Sequence, residues 1–125
     1  MEFKILLISP YQDVDIFNDN IDINIALPDG SVFFATLFTL KNIQYLMANS
    51  GDRYFYSTDM IIVSDLSLAT ISHTINQIIQ EGVIESVASC IGTIDTIIPG
   101  AKDYNDLINF ESVKERFDRY PGQSI

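Results

Sequence analysis

The sequence predicts an α+β domain, a mostly antiparallel sheet with helices packed on one face. Three observations carry that prediction. Ile21, Ile23, Ile25 and Leu27 alternate with Asp22, Asn24 and Ala26, the period-two pattern of a strand with one apolar face. Pro28-Asp29-Gly30-Ser31 then supplies turn chemistry before a second β-rich run, residues 32–38, so the two runs form a hairpin. Finally, Ile71, Ile75, Ile78 and Ile79 fall at i, i+4, i+7 and i+8, opposite Ser72, His73, Asn76, Gln77 and Gln80, which is the stripe of a helix lying on a core. Strands first and packed helices afterwards is an α+β order.

The remaining elements follow in chain order. Residues 3–8 form an apolar run of strand length, interrupted by Lys4 and ended by Pro10. After the hairpin, Thr39 is placed to cap a helix, because its hydroxyl oxygen can accept from a free backbone N–H. Leu40, Ile43, Leu46 and Met47 share one face of that helix, and Gly51 stops it. Residues 59–63 read as a compact central strand. The segment Asp65-Leu66-Ser67-Leu68 offers caps for the isoleucine-striped helix, which ends at Glu81-Gly82. Residues 83–98 are β-branched and strand-like, interrupted by Gly92. Residues 103–120 read as helical, in one piece or in two around Asn109, with Leu107, Ile108, Phe110, Val113 and Phe117 buried, closed by Pro121-Gly122.

A chain of 125 residues with no repeat and no linker rich in Pro, Gly or Ser is one domain, residues 1–125. At 47% hydrophobic and 19% charged residues it is too apolar to stay disordered, and its apolar runs are too short to span a bilayer. Seventeen acids against seven bases give a net charge of −10, which argues against direct binding to nucleic acid or to an anionic membrane and for a basic partner. The acids are segregated: Asp13, Asp15, Asp19, Asp22 and Asp29 gather in a stretch without a base between Lys4 and Lys41. A single cysteine, Cys90, and the lack of a leader-like start point to a reducing cytoplasm.

The residues give no catalytic constellation, so the expectation is a protein that is not an enzyme and takes no small-molecule substrate. His73 is the only histidine and lies on the polar face of its helix; Cys90 sits among Val87, Ala88 and Ile91 and reads as buried, inert packing. The stretch from Asp13 to Asp22 brings hard oxygens together, yet an EF-hand loop starting at Asp13 would place Asn18 and Asn24 where glycine and glutamate are required. No metal and no cofactor is expected, and the isolated glycines form no phosphate-binding loop.

What remains is a binding surface. Tyr54-Phe55-Tyr56 beside Asp52 can expose both tyrosines on one side while Phe55 turns inward, and Tyr11 adjoins the acidic stretch. An aromatic anchor ringed by carboxylates suits Lys or Arg on a basic protein. The order of an isoleucine-alternating strand, a Pro-Asp-Gly-Ser turn, the run Phe33-Phe34-Ala35-Thr36-Leu37-Phe38-Thr39-Leu40-Lys41-Asn42-Ile43, then Met60-Ile61-Ile62-Val63-Ser64-Asp65 and the helix through Ile71 and Ile79 resembles small bacterial immunity proteins. These are the proteins of polymorphic toxin and contact-dependent growth inhibition systems, and the resemblance covers roughly residues 21–81. It implies a cytoplasmic protein that binds the toxin domain of a cognate effector, often a nuclease, and occludes its active site. Charge and exposure, not the resemblance, nominate the partner-binding residues: Tyr11, Asp13, Asp15, Asp19, Asp22, Asp52, Tyr54, Tyr56 and Asp65. The competing expectation is a non-enzymatic acidic adaptor or homodimeric subunit whose charge serves solubility.

Overall fold

A computed structural model of the chain describes residues 2–8 and 13–109. Its sheet contains β1 (Lys4–Leu7), β2 (Asn20–Ala26), β3 (Ser31–Thr39), β4 (Met60–Val63) and β5 (Ser89–Thr93). The hairpin is the spine. β2 and β3 pair antiparallel with Ile21 opposite Leu37, Ile23 opposite Ala35 and Ile25 opposite Phe33. Gly30, at φ +94, takes the turn conformation that side chains avoid, and its N–H donates to Leu27 O (2.9 Å). Asp29 reinforces the turn by accepting from the Ser31 hydroxyl (2.6 Å) and N–H (2.9 Å), and these bonds, the hydroxyl's foremost, hold its carboxyl below the usual carboxylate range.

β1 extends the sheet beyond β2, antiparallel. On the far side of β3 two strands share one edge: β4 runs parallel along residues 36–39 and β5 antiparallel along residues 31–34. The sheet is therefore mostly antiparallel with one parallel pair, joined by the helix α1 (Leu40–Ser50). Thr39 caps α1 as expected, its hydroxyl accepting from Asn42 N (3.1 Å), and Gly51 at φ 80 closes it. Ser67 caps α2 (Leu68–Gln80) in the same way through Thr70 N (3.1 Å).

Strand alternation divides the interior in two. On one face Ile5, Leu7, Ile21, Ile23, Ile25, Phe33, Ala35, Leu37, Ile61 and Val63 meet Ile71, Ile75 and Ile79 of α2 and Ile84 of α3 (Ile84–Val87). Each fully buried isoleucine contributes about 2 kcal/mol, so the stripe outweighs the weak propensity of an isoleucine- and threonine-rich helix. On the other face Leu6, Ala26 and Val32 meet Ile94 of α4 (Ile94–Ile97), Ile98, Ala101 and, from the 3-10 helix Tyr104–Asn109, Leu107.

The α+β class holds, with corrections of detail. Helices cover both faces, because α4 and the 3-10 helix seal a second, smaller core. The strand at residues 60–63 is an edge strand and not a central one: a run of four apolar residues mimics two-sided burial, but Ile62 faces away from the main core and is 51% exposed. Residues 83–98 are not one strand but α3, β5 and α4, since Thr93 and Thr96 form a reciprocal capping box that starts a helix. Cys90 is exposed, because β5 is uncovered along most of its length. In α1, Ile43 is buried while Leu40 is 55% exposed. Of the helix expected at residues 103–120, the described part is the short 3-10 helix, with Leu107 buried as anticipated. Tyr11, Phe110, Val113, Phe117, Pro121, Gly122 and the side chain of Ile108 lie outside the described residues.

Candidate functional site

The nominated acids do not form one patch of free carboxylates. Asp13 stands exposed at φ 56, a backbone region that aspartate tolerates better than most residues. Asp15 accepts from Phe17 N (3.0 Å), and Asp19 accepts from Asp15 N (3.1 Å) and Asn20 N (2.8 Å). Both therefore satisfy the backbone of their own loop. That loop is tied down by buried Thr39, which accepts from Asp19 N (3.2 Å), and by Asn42, whose amide donates to Asn18 Oδ1 (3.1 Å). Asp22 lies opposite Thr36 in the β2–β3 ladder and accepts its hydroxyl proton at 2.6 Å.

Asp65 occupies the turn before α2. Its carboxylate accepts from Ser67 N (2.9 Å) and the Ser64 hydroxyl (3.1 Å), and hydrogen bonding, chiefly from Ser67, keeps its titration below the ordinary carboxylate value. The next N–H, Leu66, donates to Ile16 O (2.7 Å), so the structure brings the acidic loop and the Asp65 turn together. Asp52 is exposed just beyond the Gly51 stop.

The aromatic triplet behaves as its alternation predicts. Phe55 turns inward and meets Phe38 edge-on at 5.1 Å, with an interplanar angle of 72°. Tyr54 and Tyr56, two residues apart on an extended segment, project together with ring centroids 6.1 Å apart and planes 15° from parallel. They are 63% and 82% exposed. Phe38 is the register partner of Asn20, the residue after Asp19, so the aromatic segment and the acidic loop belong to the same end of the sheet. Asp15, Asp19 and Asp65 thus lie near the C-terminal ends of β3 and β4 and the start of α1, and Phe55 ties the tyrosine segment to Phe38 at that end of β3. Asp29 lies at the opposite end, beside a cleft of about 510 Å³ that also contains Glu85 and Cys90.

Sequence reasoning missed Ile62 and Phe17, both more than half exposed. Ile62 gave no signal, since it stands in an apolar run; Phe17, followed by Asn18-Asp19-Asn20, was legible as an apolar residue in an acidic, polar loop.

Among the described residues no group of three or more His, Cys, Asp or Glu side chains is placed to hold a metal ion, and no helix is long and apolar enough to cross a membrane. His73 is exposed on α2, as its helical position predicts. The fold and these side chains define a small, strongly acidic α+β protein. No protein-family description, curated protein or solved structure matches the chain.

Proposed function

We propose that the chain is a cytoplasmic immunity protein that binds the toxin domain of a cognate effector, a basic nuclease, and occludes its active site. The observation that carries this reading is the Tyr54–Tyr56 stack, which the fold leaves exposed at 63% and 82% while Phe55 between them packs on Phe38. Two rigid rings with open outer faces and polar tips are interface anchors, and they suit arginine or lysine. The net charge of −10 supplies the second half of the mechanism. Asp13, Asp15, Asp19, Asp22, Asp52 and Asp65 contribute a field that draws in a cationic protein surface, whether or not each carboxylate touches it. A nuclease cleft is cationic because it must hold phosphates, so an acidic domain seated there competes with its substrate.

The test is survival. The C-terminal domain of the protein encoded by the preceding reading frame is induced in bacteria with and without the chain. Co-expression is expected to restore growth, and Tyr54→Ala with Tyr56→Ala to abolish that protection. Growth arrest that the wild-type chain does not relieve would overturn the reading.

A further inference from the structure

Among the described residues the outer edges of β1, β4 and β5 pair with no further strand, and they differ in how they are guarded. β1 carries Lys4 and lies beside the 3-10 helix, Glu2, Lys4, Tyr104 and Leu107 lining one small cleft. β5 is broken by a register shift opposite Val32 and Phe33. It also crowds α4: a Cβ on Gly92 would come within 3.0 Å of Thr96 Oγ1 and 3.1 Å of Ile97. Charge, bulges and covering segments are the usual protections of a sheet edge against strand addition. Among the described residues β4 has none of them. Its four residues, Met60-Ile61-Ile62-Val63, pair with β3 without a shift and contain no charge, proline or glycine, and among the described residues no strand pairs with its outer side.

The backbone of that edge is oriented for recognition. Asp59 O accepts from Thr36 N (2.9 Å), and in a parallel ladder alternate residues face the same neighbour. Ile61 therefore faces β3, while the N–H and C=O of Met60 and Ile62 point outward. Ile62 borders a groove of about 540 Å³ between β4 and α2, lined by Ile62, Val63 and Ser64 on one side and Ala69, Thr70, His73 and Thr74 on the other. A strand edge beside a helix makes main-chain hydrogen bonds to an incoming strand and receives its alternate side chains. Asp59 and Asp65 stand at the two ends of β4; Asp59 accepts from the Ser89 hydroxyl of β5 (2.6 Å) and Asp65 from Ser64 and Ser67, so both act on the edge through the field of a chain of net charge −10 and not as free carboxylates.

We propose that the outer edge of β4 and the β4–α2 groove accept an extended, lysine- or arginine-bearing segment of the partner protein as an added strand. The basic character of the occupant rests on the partner reading above; the strand addition rests on the edge itself.

The probe is a capped Lys-Val-Lys-Val-Lys-Val peptide titrated into the isotopically labelled full chain. Amide shifts are expected at residues 60–64 and 69–74, with hydrogen exchange at the Ile62 amide slowed at least tenfold. A Glu-Val peptide of the same length should bind at least tenfold more weakly. Ile62→Lys should weaken the basic peptide at least tenfold, and Ile62→Pro, which removes an N–H that β3 does not use, should do the same. Glu85→Gln, in the cleft at the opposite end of the sheet, should change peptide affinity less than twofold. Absence of shifts, shifts confined to β1 or β5, or an Ile62 amide already protected in the free chain would overturn the proposal; protection that grows with chain concentration would identify a second copy as the occupant instead. The titration uses no toxin, so its failure leaves the survival result standing, and failed rescue leaves the titration standing.

Discussion

Residues 13–19 and residues 52–56 stand at the same end of the sheet and are built in opposite ways. The first loop spends its polar groups on itself: Asp15 and Asp19 receive three backbone N–H bonds between them, and Thr39 and Asn42 fasten the loop to the start of α1. The second commits one ring, Phe55, to Phe38 and leaves two more rings outside. Side chains consumed in folding are poor direct anchors, whereas side chains the fold does not use are free to meet another molecule. Charge differs from contact in this respect, because a hydrogen-bonded carboxylate still contributes to the field.

The comparison can be broken at its firmest joint. Thr39 is fully buried and serves both Asp19 N and Asn42 N, so Thr39→Val should cost about 2 kcal/mol by leaving those donors without their acceptor. Urea unfolding measures it; a loss below 0.5 kcal/mol on that principle would show that the loop is not fastened there. Next, Asp19→Ala should cost about 1 kcal/mol in the same experiment while protection against the toxin persists. Were Asp19→Ala to abolish protection in a folded chain, the acidic loop would be a direct contact.

Asp65 gives a pH signature. Its carboxyl is held below the usual range in the folded chain, so the ionised form contributes stability that is complete above about pH 4 and lost as pH falls through the folded value. Asp65→Asn should therefore be less stable than wild type at pH 7, with the difference shrinking toward zero in acid. A difference that grows in acid would contradict the hydrogen-bonding account. The smallest effect on stability belongs to the anchors: Tyr54→Ala with Tyr56→Ala should move it by less than about 0.5 kcal/mol, because neither ring is buried.

Much of the architecture was legible in the sequence because local and global signals agree. The isoleucine alternation of β2, the Pro-Asp-Gly-Ser turn, the Thr39 and Ser67 caps and the stripe of α2 each require their structure by period or by capping chemistry. Where periodicity is silent, reading failed: the uniformly apolar β4 could not be told from a central strand, and the β-branched stretch over residues 83–98 hid a capping box within it. Within the candidate site, the alternation of Tyr54, Phe55 and Tyr56 placed the rings correctly. The acids misled in part, since composition records charge but not the backbone N–H groups that Asp15 and Asp19 satisfy.

Binding kinetics with the purified toxin domain separate anchor from field most directly. Removing both rings, Tyr54→Ala with Tyr56→Ala, should speed dissociation about a hundredfold, equivalent to about 2.7 kcal/mol, with little change in association. Charge reversal at Asp13, Asp15 and Asp19 should instead slow association and flatten its salt dependence. The opposite pattern, dissociation indifferent to the tyrosines and association indifferent to the aspartates, would contradict the account.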